Sequence, residues 1–163
     1  MSLKEDCMKK DGFSLIELLV TIAIIGILAA IAVPGYIGQQ RKADRTEAAT
    51  NLDTLRLVQE QTRADSGTYS PSLGAVGVST AIRDGNWNTI RGALPRWQPG
   101  PSQNMKFSYR IITNVQMTNP NTVPWDAATN ARVPCFTAVA SGVVGTRVAG
   151  DIFAVDCNNN KNY

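Results

Sequence analysis

Residues 12–36 read GFSLIELLVTIAIIGILAAIAVPGY, and the run from Phe13 to Val33 within them carries one charge, Glu17. About 20 apolar residues suffice to cross a hydrocarbon core, so this run is read as a membrane-spanning helix. A carboxylate inside such a helix costs roughly 2.5–3.5 kcal/mol on insertion scales and normally has a partner and a purpose. A passive anchor has no need of Glu17. Past Pro34-Gly35 the apolar pattern narrows to one face, with Ala48, Leu52, Leu55 and Val58 or Gln59 at the spacings of three and four that suit an amphipathic helix. Polar Asn51, Asp53, Arg56 and Glu60 take much of the remainder. The spacing therefore predicts one helix from about Phe13 to Ala64, kinked or locally loosened near Pro34, which lacks an amide hydrogen and crowds the carbonyl four residues back. At 1.5 Å per residue it is roughly 75 Å long. Asp65-Ser66-Gly67 supplies the stop, glycine being suited to the left-handed conformation that ends helices.

The same string resembles the N-terminus of type IV prepilins and of the related pseudopilins of type II secretion systems. Four features carry the resemblance: a short leader, basic at Lys9-Lys10, that ends in Gly12; the aromatic Phe13; a glutamate, Glu17, at the fifth position after the cleavage point; and Pro34 one residue past the apolar run. The resemblance implies that a prepilin peptidase removes the leader 1–12 by cutting between Gly12 and Phe13 and methylates the new amino group of Phe13. It implies an α+β, pilin-like fold. A long N-terminal α-helix has a membrane-spanning, filament-core first half (13–33) and an amphipathic second half (34–64) packed on a small antiparallel β-sheet in an extracytoplasmic head (65–163). The implied function is that of a structural subunit of a type IV pilus or pilus-like filament, held in the inner membrane before assembly and extracellular, or periplasmic in a pseudopilus, afterwards. Its implied partners are the membrane, copies of itself or other pilins, the prepilin peptidase and an inner-membrane assembly platform. A type II secretion pseudopilin and a single-pass anchored binding domain that never polymerises are the alternatives.

Glu17 supports this reading on physical grounds, because a buried carboxylate becomes tolerable when a cation meets it in a low-dielectric interior. Cleavage after Gly12 creates such a cation, the amino group of Phe13, and a pair between Glu17 of one subunit and that amine of its neighbour would set the axial stagger. The competing reading is that Glu17, four residues from the start of the span, snorkels to the headgroups. Gly26 weakens the helix by about 1 kcal/mol relative to alanine and brackets, with Pro34, a segment able to loosen on assembly. Alternatively, Gly26 permits close helix packing. Ala30-Ile31-Ala32 has the pattern of an ordinary signal-peptidase site, but such signals have an apolar core of about 7–15 residues.

Sixteen Lys and Arg against thirteen Asp and Glu, with no His, give a net charge of +3, which names no polyanionic partner and excludes histidine catalysis or ligation. Basic residues flank the span on both sides (Lys9 and Lys10; Arg41, Lys42 and Arg45), so charge counting does not orient it. No catalytic set, cofactor loop or metal site emerges, and the chain is read as non-enzymatic. The helix has only Phe13 and Tyr36 as aromatics, too few for electron conduction along stacked rings.

From Gly67 to Gln103 the chain is rich in Gly, Ser, Pro and Asn, and a long connection without assigned secondary structure is expected. Arg83-Asp84-Gly85-Asn86-Trp87, Arg91, Arg96 and Trp97 interleave basic and aromatic residues as single-strand nucleic-acid surfaces do. Two tryptophans in a small domain are read instead as core or subunit-contact residues. Farther on, Met105, Phe107, Tyr109 and Ile111 alternate with Lys106, Ser108 and Arg110, as in a strand. Two further strands are expected at Cys135 to Ala140 and Ile152 to Cys157, joined by glycine-bearing turns. The expected antiparallel register sets Cys135 opposite Cys157 and Ala140 opposite Ile152. Removing the leader with Cys7 leaves an even pair, and an exported chain then favours a Cys135–Cys157 disulfide over two buried thiols.

Overall fold

The structure, a computed structural model, describes residues 12–115, 117 and 134–163. The leader ahead of Gly12, with Cys7, lies outside the described residues. The elements are α1 (Leu15–Ser66), α2 (Thr80–Ala93), β1 (Phe107–Thr113), β2 (Phe136–Gly142) and β3 (Ile152–Asp156), with a 3-10 turn at Ser102–Asn104. The chain divides into two compact units, one ending at Gln40 and one beginning at Arg41.

α1 starts where the Ser14 carbonyl accepts from the Glu17 and Leu18 amides (3.1 and 3.2 Å). Its helical pattern continues through Pro34, so the expected kink or loosening is not expressed as a break in the helix. It ends as anticipated: Gly67 takes φ +80° and its amide donates to the Arg63 carbonyl at 2.8 Å.

In the unit from Arg41 onward, the buried face of α1 holds Ala48, Leu52, Leu55, Val58 and Gln59, the stripe the spacing indicates, together with Asn51, which was expected on the polar side. It shares one core with Trp97, Phe107, Tyr109, Ile111, Phe136, Ala138 and Ala140. Trp97 and Tyr109 meet edge to face at 5.4 Å, and the Trp97 indole donates to the Asn51 carbonyl at 3.2 Å. Behind the sheet, Val139, Ala154 and Met117 form a second small cluster with Ile112 packed on it.

The connection after Gly67 is not structureless: it contains α2, which packs against β1. Ser79 caps α2 by accepting from the Ile82 amide. Its buried positions are Arg83, Asn86 and Ile90, and two of the three are polar, which hid a helical spacing from a hydrophobic pattern. Asn86 accepts from the Ala75 amide (2.7 Å) and donates to the Ala75 carbonyl (3.0 Å), while Arg83 donates to the Met105 carbonyl (3.1 Å). Trp97 is fully buried, the core position expected of it, and Trp87 stacks under Arg91 at 4.5 Å while donating to the Gly100 carbonyl.

The sheet is antiparallel in the order β1-β2-β3. The β2–β3 register differs from the expected one by a single residue: Ala140 faces Phe153, Ser141 faces Ile152 and Thr137 faces Asp156. The turn sets this register. Gly142 donates to the Asp151 carbonyl, and a Cβ on Gly142 would lie 1.9 Å from the Val148 carbonyl oxygen, so the strand can run on to Gly142 only as glycine. The paired residues end at Thr137–Asp156, and just beyond them the Cys157 amide still donates to the Phe136 carbonyl at 3.1 Å, which sets the two cysteines one residue out of direct opposition. Cys135 and Cys157 are disulfide-bonded with Cα atoms 5.4 Å apart.

Closing a loop of this span stabilises by about 3 kcal/mol in the chain-entropy model. Cys135→Ser/Cys157→Ser is therefore expected to lower the unfolding free energy by about that amount, read from denaturant titration of oxidised wild type against the variant.

Candidate assembly interface

Every large apolar side chain from Phe13 to Ile37 is exposed, the least so being Val20 at 49% and the most Phe13 at 85%. Isolated apolar side chains on a protein surface are ordinary, but an unbroken helical surface of fifteen is the signature of a segment that another apolar phase must cover. Gly12 and Phe13 precede the first turn, and Glu17 lies in that turn, where the helix dipole favours a carboxylate. Gly26 lies mid-helix with open space where a Cβ would be, so an approaching helix meets bare backbone there. The structure of the single chain thus puts Phe13, Glu17, Gly26 and Pro34 on one exposed segment. It puts Cys135 and Cys157 in the other unit.

The pattern describing the prokaryotic N-terminal methylation motif matches residues 7–33. In this motif the chain is similar to type IV pilins and pseudopilins. It is 44% identical over 69 residues to the type IV major pilin protein PilA of Myxococcus xanthus, covering 42% of this chain and 31% of that one. It is 36% identical over 61 residues to the type II secretion system core protein G of Vibrio cholerae, covering 37% and 42%. It is 37% identical over 65 residues to the type IV wide pilus major component PilA4 of Thermus thermophilus, covering 40% and 50%. The chain thus spans half or less of the length of these relatives. No solved structure matches it.

Among the described residues no three His, Cys, Asp or Glu side chains gather as a metal site. The ionic chemistry of the head lies instead at the start of its share of α1. Asp151, in the connection between β2 and β3, accepts from Arg45 Nε and Nη2 (both 2.8 Å) and from Arg41 Nη2 (3.0 Å), while Arg147 Nε lies 3.1 Å from Asp44. Arg41 and Arg45 are one helical turn apart, so a single carboxylate clamps one edge of α1 to the sheet connection. Sequence reasoning missed this clamp because its partners are 106 and 110 residues apart. It missed Asn51 and Asn86 as packing residues for a related reason, whereas Gln59 lay on the expected stripe. The Gln59 carboxamide donates to Ser70 Oγ and accepts from the Ser70 amide (3.0 Å), and Asn51 donates to the Tyr109 hydroxyl (3.1 Å). Burial pushes the Tyr109 hydroxyl well above its ordinary range, so it stays neutral at any working pH.

The Arg45 hydrogen bond, reinforced by Arg41, holds the Asp151 carboxyl below its ordinary value of 3.8 against the opposing effect of partial burial. A carboxylate with a lowered folded-state pKa contributes stability that is present above the unfolded value and disappears as pH falls through the folded one. Asp151→Asn should therefore be less stable than wild type at neutral pH, with the difference shrinking as denaturant titrations are carried to pH values below 3.8.

Proposed function

We propose that the chain is the structural subunit of a type IV pilus or pilus-like filament, inserted in a membrane by 13–33 and polymerised through the same residues. The observation that carries this reading is the fully exposed apolar helix from Phe13 to Ile37 bearing a single carboxylate within the methylation motif. Lipid tails are as apolar as leucine, so leaving the bilayer is tolerable only if neighbouring helices replace the lipid. Glu17 then loses access to the headgroups and needs a cation. The amine of Phe13 on the adjacent subunit, freed by cleavage after Gly12, supplies one and fixes the stagger. Gly26 and Pro34 let the segment between them adjust to its neighbours.

In this reading 1–12 is the leader, 34–64 carries the head 65–163, and the Cys135–Cys157 bond staples the outer part of that head. Prepilin peptidase, an inner-membrane assembly platform and an energy source outside this chain do the remaining work, so the subunit is not an enzyme. The similarity to type II secretion core proteins keeps a pseudopilin as the second reading. The disulfide favours a pilin.

The deciding experiment pairs the N-terminal fragment mass with a Glu17→Ala variant. Wild type should begin at Phe13 with one added methyl group and appear in sheared filaments. Glu17→Ala should remain in the membrane fraction while its filament yield falls by tenfold or more, the consequence of losing about 1.4 kcal/mol or more per added subunit. Unchanged yield, or no filaments from either protein, would sink the assembly role in favour of a fixed anchor.

A further inference from the structure

β3 is an outer strand, so one row of its backbone groups has no neighbouring strand. Residues 158–163 fill that row. The Asn162 carboxamide accepts from the Ala154 amide (2.8 Å) and donates to the Ile152 carbonyl (3.1 Å), occupying the outward donor and acceptor astride Phe153 that an adjacent strand would otherwise pair. Lys161 forms a bridge pair with Val155, and the Asp156 amide donates to the Asn160 carbonyl at 3.1 Å.

The two ends of this segment are held differently. At its root the fully buried Asp156 carboxylate accepts from the Asn158 amide (2.9 Å), the Asn160 amide (2.8 Å), Asn160 Nδ2 (2.8 Å) and the Met117 amide (3.1 Å). At its tip, Lys161 Nζ lies 2.6 Å from Asp53 Oδ1 on α1, and the Tyr163 hydroxyl donates to the same oxygen at 2.9 Å. Asp53 is 45% exposed, and ion pairs in contact with solvent are the weak kind.

What the segment covers is prone to pairing. β3 reads Ile-Phe-Ala-Val-Asp, with no charge before Asp156 and with Ile152 already exposed. Short apolar edge strands of this composition pair readily with their own copies. We propose that residues 158–163 are a strap that closes the β3 edge against antiparallel pairing with β3 of a second copy of this chain. Asn162 stands in for the missing strand, and Lys161 and Tyr163 latch the strap to α1. The device is independent of the filament reading, since a fixed anchor crowded in a membrane needs it equally.

The test uses full-length protein in detergent micelles, with residue-resolved hydrogen exchange and light scattering over a concentration series. Asn162→Ala should speed exchange of the Ala154 amide by about tenfold or more, the loss expected for one unmade hydrogen bond, while the Val139 amide in the central strand stays protected and so reports an intact head. The same variant should self-associate beyond the wild-type baseline as concentration rises. Adding Ile152→Lys, a charge on the opened edge, should keep Ala154 exchange fast and return association to that baseline. Unchanged Ala154 exchange in Asn162→Ala overturns the strap. Fast exchange without added association, or association that survives Ile152→Lys, overturns its role as an edge guard.

Discussion

The burial of one stripe of α1, from Ala48 to Gln59, against Trp97, Tyr109 and the sheet is the contact on which the rest of the structure depends. Ala48, Leu52 and Leu55 are wholly buried, so each contributes its full apolar area, about 1.5–3 kcal/mol for each leucine. A three-stranded sheet with little chain around it could not close a core alone. The head is completed by the second half of the helix, while the apolar side chains of the first half are exposed. The same helix is thus a core element in one unit and a bare apolar surface in the other. In the proposed function, that division supplies both an anchor and an assembly surface without any further element.

Polar side chains give this contact its specificity. Asn51 meets Tyr109, Gln59 meets Ser70, Asn86 meets Ala75 and Ser108, and Asn162 meets the β3 edge. Each carboxamide donates and accepts in a plane, as a peptide group does, and so can fasten irregular backbone that no strand reaches. A buried amide left without partners is costly, which makes these pairs sensitive to alternative packings. The Asp151 clamp adds an electrostatic hold where α1 enters the head, at arginines 41 and 45.

Much of this architecture was legible in the amino-acid order. The apolar run, the α1 stripe, its stop at Gly67 and the alternation of β1 are periodic signals, and periodicity survives in a single sequence. α2 was not legible, because Arg83 and Asn86 occupy its buried face and no hydrophobic pattern registers them. The β2–β3 register was off by one residue, since the steric demand at Gly142 arises only when Val148 folds back onto it. The proposed assembly residues stand apart from both cases. Among the described residues no side-chain partner explains Phe13, Glu17 or Gly26, so their proposed roles rest on what would surround the helix in a membrane and in a filament.

The head and the helix also answer to different constraints. The methylation motif ends at residue 33, within α1, and the relatives align over less than half of this chain. Under the proposed function the segment meets a peptidase, a bilayer and neighbouring copies in turn and has little freedom, whereas a head need only satisfy its own core. Electron cryo-microscopy of filaments sheared from cells that produce this chain tests the central claim most directly. Phe13 to Ile37 of every subunit should lie at the filament axis, with Glu17 in ion-pair contact with the Phe13 amine of the adjacent subunit. A filament whose axis is lined by other residues, or one in which Glu17 faces solvent away from any amine, would contradict it.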